Sequence, residues 1–579
     1  MIRAAFSASF LLLFAVTSNH FAQHPQTNNF VPVTDEMLKN PSPNDWLMFS
    51  RTYDAQRFSP LSQINKQNVG QLRLAWVREM GSGTQESIPL VYRGVIYTFH
   101  AGAVIQAIDA TNGVLIWEYR RSGNSRTKGI AIYEDMVYFT TPDGSLVALD
   151  ARDGRVRWET RVGEAAGTSG PIVVEGKVIT GRACARTRES CFIAGHDART
   201  GKELWKFDTV PAKGQPGFES WGPDGPADNM MASTWGMMGS YDPVRRLVYW
   251  GVANPMPNTR MARHAGNADA ISRSSPSDLY SNSTVALDPT TGKLAWYFQH
   301  LPGDDWDQDF TNERVLIRTA VNPDPKFVKW INPDVPRNQQ RNLSVSVGEG
   351  GGLFAIDRDS GQFVWATPFP YDTPEFLISN IDGKTGKTFI NWDVVLKQPG
   401  EHHVICAYNT KSYWPMSYHP AKNSMYIQYV DNCLDMTAAA PASGGNPATP
   451  ERRSGVRRPG SDPAKYGGIA KVNMTTGEIQ RIYEGSAPGV AATLATAGDV
   501  VFWGDLTRKF RAFDADTGKI LWETSLGGPV SNSTITYSVN GKQYVAVLVG
   551  NGGLMAGLLR QAGIEATPFT NGLYVFALP

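Results

Sequence analysis

With 55 Lys and Arg against 54 Asp and Glu in 579 residues, the chain has a formal charge of +1, which leaves no electrostatic footprint for nucleic acid and no polybasic face for an anionic membrane. Such a length would ordinarily mean several domains, but it also suits an architecture that grows by adding like units around one axis. The 56 Gly, 37 Pro and 16 Trp fit many tight turns plus a recurring aromatic.

The first residues, MIRAAFSASFLLLFAVTSNHFAQ, combine one Arg, an apolar run from Ala4 to Val16 and small or polar residues up to Ala22. They predict a secretory signal peptide over residues 1–22, because the apolar run is shorter than the roughly 20 residues a spanning helix needs. No Cys directly follows the run and no other stretch is apolar enough to span a membrane. The expectation is export to the periplasm, with residues 23–579 as a single domain.

Next, Asp45 to Trp76 (DWLMFSRTYDAQRFSPLSQINKQNVGQLRLAW) reads as an opening strand, a polar loop and a strand carrying a docking Trp. A motif then recurs: AIDATNGVLIW ending at Trp117, ALDARDGRVRW at Trp158, GHDARTGKELW at Trp205, ALDPTTGKLAW at Trp296, AIDRDSGQFVW at Trp365 and AFDADTGKILW at Trp522, with a degenerate KVNMTTGEIQR ending at Arg481. Each copy supplies a hydrophobic strand end, an Asp (Asn473 in the degenerate copy) to accept from turn amides, a Gly able to take positive φ, and a new strand opening on a flat aromatic. Trp76 to Trp117, Trp117 to Trp158 and Arg481 to Trp522 each span 41 residues, the length of one four-stranded propeller blade. Longer intervals, such as Trp205 to Trp296 and Trp365 to Arg481, are read as blades with insertions. Seven hairpin copies, plus strands from Tyr544 to Phe576 closing on the amino-terminal segment, predict an all-β, eight-bladed β-propeller with Trp-docking repeats.

Four cysteines in an exported chain should pair, and three connectivities are possible. Cys184 and Cys191 close a short loop while Cys406 and Cys433 flank a strand, loop and strand, so these two pairings are expected. There is no CxxCH for covalent haem and no GxGxxG after a strand for a nicotinamide cofactor. Electrons from any redox reaction must then leave to a separate carrier.

The segment from His300 to Arg314, HLPGDDWDQDFTNER, holds Asp304, Asp305, Asp307 and Asp309. On an extended segment the period of two puts Asp307 and Asp309 on one side and Trp306 on the other. Carboxylates so placed repel unless a cation lies between them. That is oxygen-ligand chemistry for a hard cation such as calcium, or a general base beside a metal; a solvated acidic turn is the plainer alternative. His196, His264, His300, His402, His403 and His419 show no metal-ligand spacing and read as structural or solvated. Ala438 to Lys465 is rich in Pro, Gly, Ser and Arg, hence a long surface loop near the mouth of a substrate funnel.

The Asp45 to Trp76 segment, the Trp-ended repeats and the WDQD stretch together resemble the quinoprotein alcohol dehydrogenases. These are the pyrroloquinoline quinone (PQQ) enzymes that include methanol and ethanol dehydrogenases, and the likeness runs from about Asp45 to the carboxyl end. The resemblance implies Asp307 as catalytic base beside the quinone, Asp309 as the extra carboxylate of lanthanide-using members and Asn254, in VYWGVANPMPN, as a metal ligand. It implies Trp235, in MASTWGMMGSYDP, as one face of the quinone pocket, and Thr140, in VYFTTPDGSLVALD, as a hydroxyl donor to the quinone's carboxylates.

The departures are informative. Arg186 stands where the family has a metal-binding Glu, with Glu189 three residues away, and Glu349 stands where the family has a Lys or Arg next to the quinone oxygens. The two exchanges offset in charge, either as an Arg186 to Glu349 pair or with Glu349 taking over as the metal carboxylate. Lys128 replaces a cofactor-binding Arg and loses the bidentate fork; Ser122-Gly123 replaces a vicinal cysteine pair, Ser412 an amide donor and Val490 a pocket tryptophan.

The expectation is a divergent PQQ-dependent dehydrogenase near the sugar, polyol and sorbose branch. Lys128, Thr140, Trp235, Glu349 and Ser412 would contact the cofactor, and Asn254, Asp307, Asp309 and Glu189 would hold calcium, with a lanthanide as alternative. Expected partners are an alcohol, polyol or sugar and a soluble acceptor such as cytochrome c, and a homodimer is allowed. A non-catalytic periplasmic scaffold is the competing reading, favoured by Arg186, Glu349, Ser412 and Val490 and disfavoured by the surviving set of Trp235, Asn254, Asp307 and Asp309.

Overall fold

A computed structural model describes residues 27, 29–123, 126–164, 167–184, 191–406, 408–438 and 452–579. The expected signal peptide at residues 1–22, Arg186 and Glu189 lie outside the described residues.

The repeated motif forms the turn its composition predicts. In the first copy Asp109 accepts from the backbone N–H of Thr111 at 2.7 Å and from its hydroxyl at 2.6 Å, and Gly113 takes a φ of 78°, which only glycine adopts without strain. The strands Val104–Asp109 and Leu115–Arg120 pair across this turn. A side chain at Gly113 would meet the Trp76 ring at 2.7 Å, because the indole from the preceding sheet lies flat on the turn. That indole donates to the Ala110 carbonyl at 3.3 Å. The same bond recurs from Trp117 to Ala151 at 3.0 Å, from Trp158 to Ala198 at 3.1 Å and from Trp205 to Pro289 at 2.9 Å. Each of these four Trp therefore fastens the outer strand of its own sheet to the turn of the next.

Among the described residues the strands assort into eight sheets of four or five strands, two two-stranded pairs and one three-stranded sheet. The four main strands of each larger sheet are antiparallel neighbours in meander order; Phe58–Ser59 adds a parallel edge strand to one sheet and Trp330–Ile331 an antiparallel one to another. Inner strands such as Val95–His100 and Val104–Asp109 are buried throughout, while the outermost Val156–Arg161 is mostly exposed, as expected where sheets pack face to face and only the outer edge meets water. Thr534–Val539, Lys542–Val549 and Asn571–Ala577 form a sheet whose fourth strand is the amino-terminal Arg73–Met80, with Trp76 opposite Val575 and Met80 opposite Asn571. The α-helices Asp35–Lys39, Arg260–Arg263 and Met555–Gln561 are short, and among the described residues no helix is long and apolar enough to cross a membrane. The chain is an all-β propeller.

Both expected disulfides form, Cys184 to Cys191 and Cys406 to Cys433. The second joins cross-strand partners in the three-stranded sheet of His402–Cys406, Asn432–Thr437 and Arg452–Arg457. This insertion sheet corrects one expectation: Arg452–Arg457 lies within the segment read as loop from Ala438 to Lys465, yet it pairs along its whole length with Asn432–Thr437.

In a meander of antiparallel strands, the start of the first strand, the end of the second and the start of the third lie at one end of the sheet. The turn between the third and fourth strands lies at the other. The Asp-to-Gly turns thus occupy one end of the molecule, and the opposite end collects the segments that enter each sheet.

Candidate active site and metal centre

Those entering segments build a cavity of about 440 Å³. Glu86 precedes Leu90–Tyr92, Lys128 precedes Ala131–Tyr133, Thr168 precedes Pro171–Val174, Trp235 precedes Ser240–Asp242, Asp309 precedes Val315–Val321 and Ser412 precedes Ser417–His419. Asn254 follows the second strand of its sheet and Glu349 precedes the third of its own, so both reach the same end. Backbone bonds run around the cavity from one segment to the next: Ile88 N–H to Lys128 O and Lys128 N–H to Thr168 O at 2.9 Å, Glu349 N–H to Asp309 O and Thr410 N–H to Glu349 O at 2.9 Å. A second cavity, of about 530 Å³, includes Asp54, Asp242 and Arg358 in its lining on the side of the Asp-to-Gly turns. There Arg358 lies 2.9 Å from Asp242, and no indole or paired acidic set faces it.

The four aspartates divide by role. Asp304 accepts from the N–H of Trp306 and of Gln308 at 2.7 Å and from the Asn282 amide at 3.0 Å. Asp305 accepts from the N–H of Arg260 at 2.5 Å and of Leu396 at 2.8 Å. Both are buried and hold the loop. Asp307 and Asp309 line the cavity, while Trp306 is buried elsewhere and donates to the Val394 carbonyl at 2.8 Å. The expected partition is observed for another reason: Asp307 has a φ of 60°, so the stretch is not extended and the left-handed residue, not a strand period, turns the carboxylate inward.

Asp309 is locked by two donors, the N–H of Asn254 at 2.7 Å and the Trp235 indole N–H at 2.6 Å. Burial, then the charge of Asp307, pushes it up to about 7. Glu349 accepts from the Ser412 hydroxyl, and burial followed by repulsion from Asp309 raises it far above the carboxylate range. Asp307 is paired with Arg453 of the insertion sheet at 2.8 Å.

The rest of the lining includes cationic and aromatic side chains. Lys128, buried, lies 3.3 Å from Glu86, with its ammonium 4.8 Å from the Trp235 ring centre and 4.5 Å from that of Tyr413. Burial lowers its pKa, and the Glu86 carboxylate works against that shift. Trp235 and Tyr413 meet edge to face, with ring centres 5.7 Å apart.

Of the residues singled out from the sequence, Lys128, Trp235, Asn254, Asp307, Asp309, Glu349 and Ser412 line this one cavity. Thr140 does not; its buried hydroxyl donates to the Gly167 carbonyl, one residue before the lining Thr168. Val490 is a core residue, and Ser122 and Gly123 are exposed. Sequence reading missed Glu86, Arg126, Thr168, Tyr408, Tyr413 and Arg453. Position just ahead of each sheet's first strand was a signal for Glu86, Thr168 and Tyr413, but nothing local marks Arg453.

These residues fit a hard cation. Three carboxylates and Asn254 face one cavity, and the Asn254 amide nitrogen donates to Asn258 at 3.1 Å, which leaves its carbonyl oxygen for a ligand. An ion there would relieve the repulsion that raises Asp309 and Glu349. Among the described residues no three acidic, His or Cys side chains close into a cage, so the set is open.

The family model for the PQQ glucose/ethanol/alcohol dehydrogenase β-propeller domain matches residues 46–328 and 464–545. The quinohemoprotein alcohol dehydrogenase ADH-IIG of Pseudomonas putida is 31% identical over 90% of this chain and 75% of its own length. The 1-butanol dehydrogenase (cytochrome c) of Thauera butanivorans is 29% identical over 90% of this chain and 76% of its own. Among solved structures, a europium-containing methanol dehydrogenase superposes with a TM-score of 0.78 at 26% identity, covering 94% of this chain and all of the other.

Proposed function

The chain belongs to the PQQ-dependent quinoprotein alcohol dehydrogenases, and from that premise we propose that it oxidises primary or secondary alcohols, polyols among them, with Asp307 as the base. The observation that carries the reading is the shared cavity: Asp307, Asp309, Glu349 and Asn254 line it together with the cationic and aromatic Lys128, Arg126 and Trp235. A flat cofactor bearing carboxylates and a carbonyl-coordinating cation needs both sets.

When bound, PQQ supplies the two-electron acceptor and the cation polarises it as a Lewis acid. The protein does the rest. Trp235 offers an indole face whose tilt is fixed by Asp309, and Lys128 and Arg126 supply positive charge for anionic substituents. Asp307 takes the hydroxyl proton of the alcohol as the hydrogen on its carbon leaves with its electron pair. Asn254, Asp307 and Asp309 would hold the ion, calcium or a lanthanide, with Glu349 as the further carboxylate.

The finer features rest on specific supports. Eight sheets, with the last closed by the amino-terminal strand, support eight blades in a single domain. The cytochrome c in the name of the butanol-oxidising relative supports electron delivery to a cytochrome c. The apolar leader at residues 1–22 and two disulfides support action in the periplasm. Asp307→Asn, reconstituted with PQQ and calcium, is expected to keep the quinone's absorbance through gel filtration but lose about 100-fold or more of dye-linked alcohol oxidation. Near-normal turnover would reject Asp307 as the base. A wild-type protein that retained no quinone would instead be an inert scaffold.

A further inference from the structure

Asp304, Asp305 and Asp309 are each held by backbone N–H donors. Asp307 has no such donor among the described residues; its ion pair is with Arg453, Nη1 to Oδ2 at 2.8 Å, with side chains 17% and 35% exposed. The guanidinium is itself oriented. Its Nη2 donates to the Tyr408 hydroxyl at 3.3 Å and the Trp306 carbonyl at 3.4 Å. Tyr408 and Asp307 both line the cavity, so the pair sits at the reaction site.

Arg453 comes from the insertion sheet, not from a blade. Its strand is pinned on both flanks: Cys433 pairs with Val456 on one side and is bonded to Cys406 on the other, while Arg457 donates to the carbonyls of Gln561 and Ala562 at 2.9 Å. A carboxylate on an irregular loop with one movable oxygen pair would sample several rotamers. A rigidly delivered guanidinium selects one, and by engaging Oδ2 leaves Oδ1 without a partner among the described residues.

Resting on the function proposed above, we propose that Arg453 is the positioning residue of Asp307, and that the insertion sheet thereby completes the active site. Its donors are committed to the protein, so its loss acts on the orientation of the base and not on the capture of the alcohol.

The test compares the full-length protein, reconstituted with PQQ and calcium, with Arg453→Ala, Arg453→Lys and Arg452→Ala, the last at the exposed neighbouring position. In Arg453→Ala, kcat is expected to fall roughly ten- to hundredfold with KM changed by less than about twofold. Added ethylguanidinium should restore about a tenth or more of the lost rate, and should leave the wild type and Arg452→Ala unaffected. Arg453→Lys should be intermediate, since a point charge lacks the planar fork. A raised KM at constant kcat would make Arg453 a substrate-binding group and overturn the proposal. So would an unchanged kcat, or a loss that ethylguanidinium does not relieve while quinone absorbance persists. If Arg453→Ala fails to retain the quinone, Arg453→Lys decides: wild-type kcat there overturns the proposal, and a severalfold fall at unchanged KM supports it. Absence of alcohol oxidation in the wild type would instead strike the functional reading alone.

Discussion

Asp309 is a carboxyl whose ordinary value is 3.8 and which burial and Asp307 push up to about 7. A group raised on folding stabilises the protein fully below its unfolded value, and that contribution disappears as pH rises through the folded value. The metal-free protein should therefore lose thermal stability between about pH 4 and pH 7 on account of Asp309, with Glu349 pulling the same way. A cation reverses the sign, because it binds the ionised carboxylates. Calcium should raise the melting temperature more at about pH 8 than at about pH 5, and its uptake at about pH 6 should release protons. Calorimetry with and without chelator, and a pH-stat titration, check this. Calcium affinity indifferent to pH over that range would remove Asp309 from the ligand set.

The loop from Asp304 to Asp309 is an element without regular structure whose shape is set by two of its own aspartates. Asp304→Ala would strand two buried N–H groups and the Asn282 amide, each at a cost of about 1–3 kcal/mol. Melting temperature and activity should fall together in this variant, and its calcium affinity should fall too because Asp307 and Asp309 lose their frame. Asp307→Asn, by contrast, should change turnover with little change in melting temperature. Equal thermal behaviour of the two variants would show that Asp304 does not hold the loop. The insertion sheet works in the same way at larger size: its disulfide and its bonds to the residues at the end of the Met555–Gln561 helix fix a strand whose one inward Arg meets the site.

Closure of the propeller depends on the pairing of Arg73–Met80 with Asn571–Ala577. A chain ending after Thr570 would leave Arg73–Met80 and Lys542–Val549 as unpaired edges, and exposed edges of that length associate. The truncated protein should elute from gel filtration as aggregate and lose its cooperative unfolding transition. A monomeric, cooperatively melting product would show that the ring does not need this strand.

The hairpin turns, the Trp that docks on most of them and the Cys184–Cys191 disulfide were legible because each depends on chemistry within a few residues, whereas Lys128, Trp235, Asn254, Glu349 and Ser412 were expected only through the family resemblance. An Asp accepts from amides two positions on, a Gly takes positive φ, and short loops bring cysteines together. What the chain order hides is what distant segments contribute. Asp307 and Asp309 were read as facing one side through an extended strand, whereas a left-handed Asp307 produces that outcome. Thr140 was expected in the pocket, yet its hydroxyl goes to the Gly167 carbonyl, on a segment that packing alone brings beside it. Arg453 lies 146 positions from Asp307 in a stretch whose composition signals loop. Local pattern determined the repeating sheet and the acidic segment. Only the ring's closure and the pinned insertion sheet decided which charges meet, since an ion pair across that separation is set by packing and leaves no periodic trace in the sequence.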